Sequence, residues 1–187
     1  RTRGVILASP SNPAGTVVSP QEMQAIATWL SSQGGFLIVD EIYQGLVYDI
    51  PSLTALKMTA DNVFVVNSFS KYFCMTGWRL GWLVSPPAFM RSIEKLAQNM
   101  FICPSAPAQY AALGAFTADS IAVLEARRRE FQARRDFMLP AIRKLGFAVT
   151  SATSGAFYIY ANCSSFGLDG SEISRRALEE AGVAITP

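Results

Sequence analysis

The chain has 187 residues, of which 50% are hydrophobic, and its 16 basic and 14 acidic side chains leave a formal net charge of only +2. A chain of this length and hydrophobicity can bury a sizeable core, whereas so balanced a charge argues against a nucleic-acid-binding surface. Because the sequence contains no histidine, it excludes Ser-His-Asp catalysis, Cys-His catalysis and histidine-based metal sites. We therefore expect no metal ion and no nucleic-acid partner.

Hydropathy and cysteine usage bear on membrane association and on the redox state of the cellular compartment. No apolar run reaches the roughly 18 residues that a membrane span needs, so we expect no membrane partner. The three cysteines, Cys74, Cys103 and Cys163, are odd in number and form no C-x-x-C pair. This usage favours a reduced, cytoplasmic setting.

Strand and helix patterns alternate at the start of the chain. The apolar run 4–8 predicts a strand. Ser19-Pro20-Gln21-Glu22 has the pattern of a capping box with a proline at the first helical position. It predicts a helix that ends at about Ser32 and whose apolar face carries Met23, Ile26, Ala27 and Leu30. The run 36–39 predicts the next strand, so this order predicts a right-handed βαβ crossover and a mostly parallel sheet.

The middle of the chain adds two strands and three helices. After an irregular connector over 45–61, the runs 63–66 and 80–84 predict strands, the second of which ends before Pro86-Pro87. Helical patterns follow at about 88–99, 105–117 and 119–145. The long third helix interleaves arginines with acidic residues, a pattern typical of a solvated helix face rather than of a nucleic-acid-binding one.

The last segment has the pattern of a second, incomplete unit. Strands are predicted at 146–150 and 156–161, on either side of a turn at Ser154-Gly155, and a helix is predicted at 171–181. A final strand is predicted from Val183 onward. The sequence thus predicts an α/β fold with a mostly parallel sheet and flanking helices, followed by a partial α+β domain.

Polar residues directly follow three of the predicted strands, at the edge where open α/β sheets bind their ligands. The residues that could converge there are Asn12, Asp40, Tyr43, Lys71 and Arg79. A lysine at such a site can form an imine with a carbonyl compound, and an arginine can bind a phosphate group through two hydrogen bonds. Taken alone, the lysine could equally be a surface side chain in a polar turn.

Three segments together resemble the class I/II aminotransferases, the fold-type I enzymes that use pyridoxal 5′-phosphate (PLP). An S-N-P-x-G segment at 11–15, a D-E-x-Y segment at 40–43 and S-x-S-K-x(4)-T-G-x-R-x-G at 68–81 match the family pattern in order and at similar spacing. One departure is Cys74, where the family usually has a small residue such as Ser or Ala. The resemblance covers essentially the whole chain.

The resemblance implies both domain organisation and chain length. Residues 1–135 would be the C-terminal part of the PLP-binding large domain, and residues 136–187 an incomplete C-terminal small domain. Members of the family are longer than this chain, so we expect it to be part of a longer protein and to be poorly active alone. The family also implies a homodimer.

Catalytic roles follow from the resemblance for three of the matching residues. Lys71 would form the Schiff base with PLP and move the proton during the reaction. Asp40 would pair with the pyridine nitrogen, and Tyr43 would hydrogen-bond the phenolic oxygen of the cofactor. Glu41 should point away from this site if the chain is still extended there.

The remaining matching residues would bind the cofactor without a catalytic role. Asn12 would share the phenolic oxygen of PLP with Tyr43. Arg79 would clamp the phosphate group, with hydroxyl groups contributed by Ser68 and Ser70.

The resemblance favours a transaminase that moves an amino group from an amino acid to a 2-oxo acid. Two alternatives stay open, because one cofactor supports several reactions and the fold does not choose among them. One is a PLP-dependent C-S lyase or an enzyme with related carbanion chemistry. The other is the aminotransferase-like sensor domain of a transcription regulator.

Overall fold

The computed structural model describes residues 2–58 and 60–187. Its first part contains the strands β1 (Gly4–Ala8), β2 (Phe36–Asp40), β3 (Val63–Ser68) and β4 (Gly81–Val84), with α1 (Pro20–Ser32) between β1 and β2. Within the described residues these strands form one sheet in the order β1-β2-β3-β4. Two pairings are parallel and the pairing of β3 with β4 is antiparallel. The mostly parallel sheet is therefore confirmed, as is the parallel βαβ unit.

Helix α1 begins and packs as its sequence predicts. The Ser19 hydroxyl accepts a hydrogen bond from the Glu22 amide, and the Glu22 carboxylate accepts one from the Ser19 amide, which completes the capping box. One face of the helix is buried against the sheet. The buried residues of this core are Met23, Ala27, Leu30, Leu37, Val39, Ala55 and Val65.

Four further helices follow the sheet in the described part of the chain: α2 (Pro87–Met100), α3 (Ala106–Gly114), α4 (Ala118–Lys144) and α5 (Gly170–Ala181). Their positions agree with the sequence except that α3 ends three residues early. It ends there because Thr117 caps the next helix, accepting a hydrogen bond from the Ser120 amide at 3.3 Å. Within the described ranges, no helix is long and apolar enough to cross a membrane.

The strands predicted after α4 are wrong. In place of the strands at 146–150 and 156–161, the described residues contain isolated bridges between Ala148 and Asn162 and between Val47 and Gly155. No strand follows Val183 in the described chain either. The physical reason at 156–161 is that Ala156 has a φ of 60°, which an extended strand does not allow.

Helix α4 contacts the loops that approach the sheet edge. Arg128 donates to the Val47 carbonyl at 3.2 Å and Arg135 donates to the Thr153 carbonyl at 2.9 Å. Arg135 also binds the carboxylate of Asp49 at 2.6 Å. Part of the arginine face that the sequence assigns to solvent therefore holds two separate loops together. The domain boundary predicted after residue 135 falls inside α4 and stays a prediction.

Candidate active site

Three polar segments follow β1, β2 and β3 at one edge of the sheet. The segments are joined by backbone hydrogen bonds from Ser9 to the Asp40 carbonyl at 3.0 Å and from Glu41 to the Val66 carbonyl at 2.8 Å. Because the three strands are parallel, their carboxyl ends meet at the same edge. The structure thus gathers the segments that carry Asn12, Asp40 and Lys71.

The Lys71 amine lies against two aromatic rings. Its Nζ atom is 5.7 Å from the centre of the Tyr43 ring and 5.6 Å from the centre of the Phe157 ring. These distances permit a cation–π attraction, which holds an ammonium group near ring faces. The two rings are themselves in edge-to-face contact, with centres 5.3 Å apart. Lys71 and Tyr43 are therefore neighbours, as predicted.

Tyr43 is buried and stays protonated near neutral pH. Burial is the largest cause that raises the pKa of its phenol above the ordinary value, followed by the hydrogen bond and charge of Tyr158 and then by the charge of Asp40. The Asp40 carboxylate thus acts electrostatically on Tyr43, and it also accepts the Ile42 amide at 3.0 Å. A protonated phenol beside a carboxylate and an amine can donate a hydrogen bond to a ligand.

Asn12 reaches the same group of side chains through Tyr158. The Asn12 amide nitrogen donates to the Tyr158 hydroxyl at 3.4 Å, and that hydroxyl lies 2.6 Å from the Tyr43 hydroxyl. Sequence reasoning missed Tyr158 and Phe157, because both lie in the segment that it predicted as a strand. The available signal was the Gly155 turn immediately before two aromatic residues.

Ser68, Ser70 and Arg79 form a polar turn beside Lys71. The Ser68 Oγ atom accepts the Ser70 amide and lies 3.0 Å from the Ser70 Oγ atom. The backbone of Arg79 is in the left-handed region, with a φ of 50°, and its guanidinium donates to the Thr76 carbonyl at 3.1 Å. Hydroxyls, a backbone amide and a guanidinium are the donors that phosphate oxygens accept.

The loop after Lys71 is anchored to α4. The Tyr72 hydroxyl donates to Glu125 at 2.7 Å, and burial together with Glu125 raises the pKa of Tyr72 to about 12. A methyl group added at Gly45 would lie 2.3 Å from the Tyr72 ring, so this ring needs the bare backbone beside it. These contacts fix the residue next to the amine.

Glu41 lies outside this group, as the sequence predicts. Its carboxylate is buried and accepts the Ala55 amide at 2.6 Å, which ties the connector after β2 to the sheet. Burial raises the pKa of this carboxyl above its ordinary value, against the effect of hydrogen bonds from Ala55 and Thr54.

Comparison with known proteins identifies relatives of the whole chain. The family model for aminotransferase class I and II matches residues 1–187. The chain is 43% identical over 186 residues to the valine–pyruvate aminotransferase of Mycobacterium tuberculosis, covering 99% of this chain and 48% of that protein. It is 37% identical over 188 residues to a probable N-acetyl-LL-diaminopimelate aminotransferase of Bacillus subtilis, covering 100% of this chain and 47% of that protein.

Solved structures agree with this match. The crystal structure of an aminotransferase from Mycobacterium tuberculosis superposes with a TM-score of 0.95 at 43% identity, over 99% of this chain and 48% of that one. A double mutant of the Thermus thermophilus aspartate aminotransferase gives a TM-score of 0.92 at 32% identity, over 100% of this chain and 49% of that one. The chain spans about half the length of these relatives. It belongs to the class I and II aminotransferase family.

Proposed function

We propose that this chain carries the cofactor-binding half of a PLP-dependent aminotransferase, which transfers an amino group from an amino acid to a 2-oxo acid. The observation that carries the proposal is the Lys71 amine at the sheet edge, packed against the protonated phenol of Tyr43. Asp40 and Asn12 lie in the same group of residues. The relatives named above are aminotransferases, which favours transamination over the lyase and the sensor domain.

The donors at this edge fit PLP group by group. An amine suits its aldehyde, a carboxylate suits its protonated ring nitrogen, and a phenol with an amide suits its phenolic oxygen. The Ser68–Arg79 turn suits its phosphate. When bound, PLP supplies an electron sink for the carbanion that forms at the substrate Cα atom.

Lys71 has two tasks in this proposal. Its Nζ atom would hold the cofactor covalently as a Schiff base with the cofactor aldehyde, with loss of water. When it is not bonded to the cofactor, the same Nζ atom would take the proton from the substrate Cα atom and return it to another carbon. The rings of Tyr43 and Phe157 limit where this amine can move.

Asp40, Tyr43 and Asn12 act by orientation and charge. The Asp40 carboxylate would keep the ring nitrogen of the cofactor protonated, because an adjacent negative charge favours a cation. The Tyr43 hydroxyl would donate to the phenolic oxygen, since a tyrosine phenol is protonated near neutral pH and burial raises its pKa further. The Asn12 amide contributes a second donor at the same oxygen.

The loop of 68–79 would bind the phosphate group of the cofactor. The Arg79 guanidinium would bind the phosphate through two hydrogen bonds, and the hydroxyls of Ser68 and Ser70 would add neutral donors. The hydroxyl oxygens of Ser68 and Ser70 lie 3.0 Å apart, so both would be close to a phosphate group bound at this turn.

We further propose a cytoplasmic homodimer with residues 1–135 in the large domain and 136–187 in the small domain. The three free cysteines support the reduced setting. Large apolar side chains are exposed around the end of α2 and along α3: Met100, Ile102, Tyr110 and Leu113. An exposed apolar patch of this kind supports a dimer, because a partner subunit would cover it. Sedimentation of the active species as a monomer would contradict the dimer.

Amino-transfer assays on the full-length protein that contains this chain test the function. With PLP, an amino acid and a 2-oxo acid, we expect paired formation of the new amino acid and the new oxo acid. Lys71→Ala should abolish turnover, whereas Lys95→Ala, on the exposed surface of α2, should leave it unchanged. We expect a polypeptide limited to the 187 residues to turn over poorly.

Two results would overturn the proposed function. One is turnover by Lys71→Ala equal to that of the unsubstituted protein. The other is release of ammonia and a 2-oxo acid from the amino acid without any amino acceptor, which would favour the lyase reaction.

A further inference from the structure

Tyr158 is the one hydroxyl group that contacts both Tyr43 and Asn12 in the described part of the chain. Its oxygen lies 2.6 Å from the Tyr43 oxygen and accepts from the Asn12 amide at 3.4 Å. The two tyrosine rings meet edge to face with their centres 5.6 Å apart. Tyr158 thus sits behind the phenol to which the proposed function assigns a hydrogen bond with the cofactor.

The backbone before Tyr158 is held firmly enough to fix this contact. Ala156 donates to the Leu46 carbonyl at 2.8 Å and its carbonyl accepts the Tyr48 hydroxyl at 2.7 Å. Gly155 donates to the Gly15 carbonyl at 2.9 Å. Ala156 keeps a left-handed φ of 60°, a costly conformation that persists only where its surroundings impose it.

The number of phenol protons determines which tyrosine donates in the hydrogen bond between Tyr43 and Tyr158. Each phenol has one proton, so only one of Tyr43 and Tyr158 can donate within the pair. Once Tyr43 donates its proton to another acceptor, its oxygen stays paired only if Tyr158 becomes the donor. The hydrogen bond that Tyr158 accepts from Asn12 favours this exchange, because hydrogen bonds in a chain polarise one another.

We infer that Tyr158 is a positioning residue, which holds the Tyr43 hydroxyl and donates to it when Tyr43 donates to the phenolic oxygen of the cofactor. This inference rests on the proposed function. Tyr158 acts through Tyr43, so its contribution should vanish when the Tyr43 hydroxyl is removed.

A double-mutant cycle on the full-length protein tests the inference, with the dissociation constant for PLP as the readout. Tyr158→Phe keeps the ring and removes one hydrogen bond, so we expect PLP binding to weaken by about 3- to 10-fold. In the Tyr43→Phe background the same substitution should change PLP binding by less than about 2-fold. Tyr160→Phe, two residues away and exposed, is the matched control and should have no effect.

A second readout needs no cofactor. The Tyr43 ring signal near neutral pH, followed by NMR of protein labelled with carbon-13 at the tyrosine ring, should shift in Tyr158→Phe, because the Tyr158 hydroxyl lies 2.6 Å from the Tyr43 hydroxyl. It should stay unchanged in Tyr160→Phe. Circular dichroism checks that each variant is folded.

The possible outcomes separate this inference from the proposed function. An unchanged PLP affinity in Tyr158→Phe, or an equal loss in the Tyr43→Phe background, would overturn the positioning role. If Tyr158→Phe fails to fold, the same cycle is run with Tyr158→Leu, and its loss of PLP affinity should again vanish in the Tyr43→Phe background. If Lys71→Ala bound PLP as the unsubstituted protein does, the proposed function would fail instead, and the Tyr43 NMR signal would still decide whether Tyr158 holds Tyr43.

Discussion

The two sides of the candidate site are held by different kinds of structure. Asp40 is the last residue of β2 and Lys71 follows β3, and the ladders of these strands fix their ends through regular backbone pairing. Phe157 and Tyr158 belong to no helix or strand of the described chain and depend on a few hydrogen bonds to residues far away in sequence. A ladder distributes a disturbance over many bonds, whereas the segment of 153–158 concentrates it in a few.

This difference predicts where single substitutions should matter most. Regions with few regular hydrogen bonds open locally more readily than the strands of a core. Changes that displace the segment of 153–158 should remove Phe157 and Tyr158 from the site, while the sheet and its strand ends stay folded.

The largest expected effect is that of Gly155→Ala. A methyl group there would lie 2.6 Å from Cγ of Pro10 and 3.2 Å from the Leu46 carbonyl oxygen, neither of which can move aside easily. We expect a loss of about 3 kcal/mol in unfolding free energy, at the upper end for overpacking, together with weaker PLP binding. Denaturant unfolding and PLP titration measure the two effects.

Gly114→Ala is the matched control, since a methyl group added at the end of α3 would meet nothing within 4 Å. It should be neutral or stabilise the protein by about 0.5 kcal/mol, because alanine favours a helix over glycine. If both substitutions cost the same, the close approach at Gly155 does not hold the segment.

Tyr48→Phe should have an intermediate effect. The Tyr48 hydroxyl donates to the carbonyl of buried Ala156 at 2.7 Å, so its removal leaves that oxygen without its donor. A loss of about 2 kcal/mol is expected for an unsatisfied buried acceptor. Tyr160→Phe, at an exposed position, should change stability by less than about 0.5 kcal/mol.

The loss of folding stability at alkaline pH tests the same burial of the Tyr48 hydroxyl. Burial raises the pKa of Tyr48 from 10.0 to about 12, against the lowering effect of Arg135 and Arg128. The folded state therefore keeps the proton more tightly than the unfolded state, and the stability from Tyr48 is lost as pH rises from about 10 to about 12. Tyr48→Phe should make this decline shallower, and an unchanged slope would contradict the assignment.

The smallest expected effect is that of Glu41→Gln, directly after β2. This substitution should change the slope of the free energy of unfolding against pH. Because the pKa of the buried Glu41 carboxyl is raised from 4.5, stability from its neutral form is lost as pH rises through the folded pKa. Glutamine keeps an oxygen for the Ala55 amide and does not ionise, so this decline should disappear. Urea unfolding at a series of pH values above 4.5 measures the slope.

Glu22→Gln is the control of opposite sign. Hydrogen bonds from the Ser19 hydroxyl and amide lower the pKa of Glu22, so its contribution is present above the ordinary pKa and lost as pH falls. Glu22→Gln should therefore abolish the increase in the free energy of unfolding that Glu22 contributes as pH rises. The same change of slope in both variants would contradict the role given to burial at Glu41.

The sequence predicts the ladder side well because that side is encoded locally. Apolar runs give β1 to β4, the capping box at Ser19 gives the start of α1, and polar residues directly after the strands give Asn12, Asp40 and Lys71. Parallel pairing then brings strand ends together without any further information.

The segment of 153–158 could not be placed in the same way. The apolar, aromatic-rich run of 156–161 favours a strand, but the left-handed backbone of Ala156 and the hydrogen bonds to Leu46 and Tyr48 override that local preference. Those partners lie roughly a hundred residues earlier, and the periodicity of the local sequence does not indicate contacts over such a separation. Tyr158 is missed for this reason, and not because its chemistry is unusual.

Borohydride reduction of the PLP-loaded full-length protein, followed by peptide mapping, tests the central claim most directly. The 187 residues contain four lysines, Lys57, Lys71, Lys95 and Lys144. The account predicts that the reduced cofactor is found on Lys71 and that Lys71→Ala carries no label. A label on another lysine, or no label on the unsubstituted protein, would contradict it.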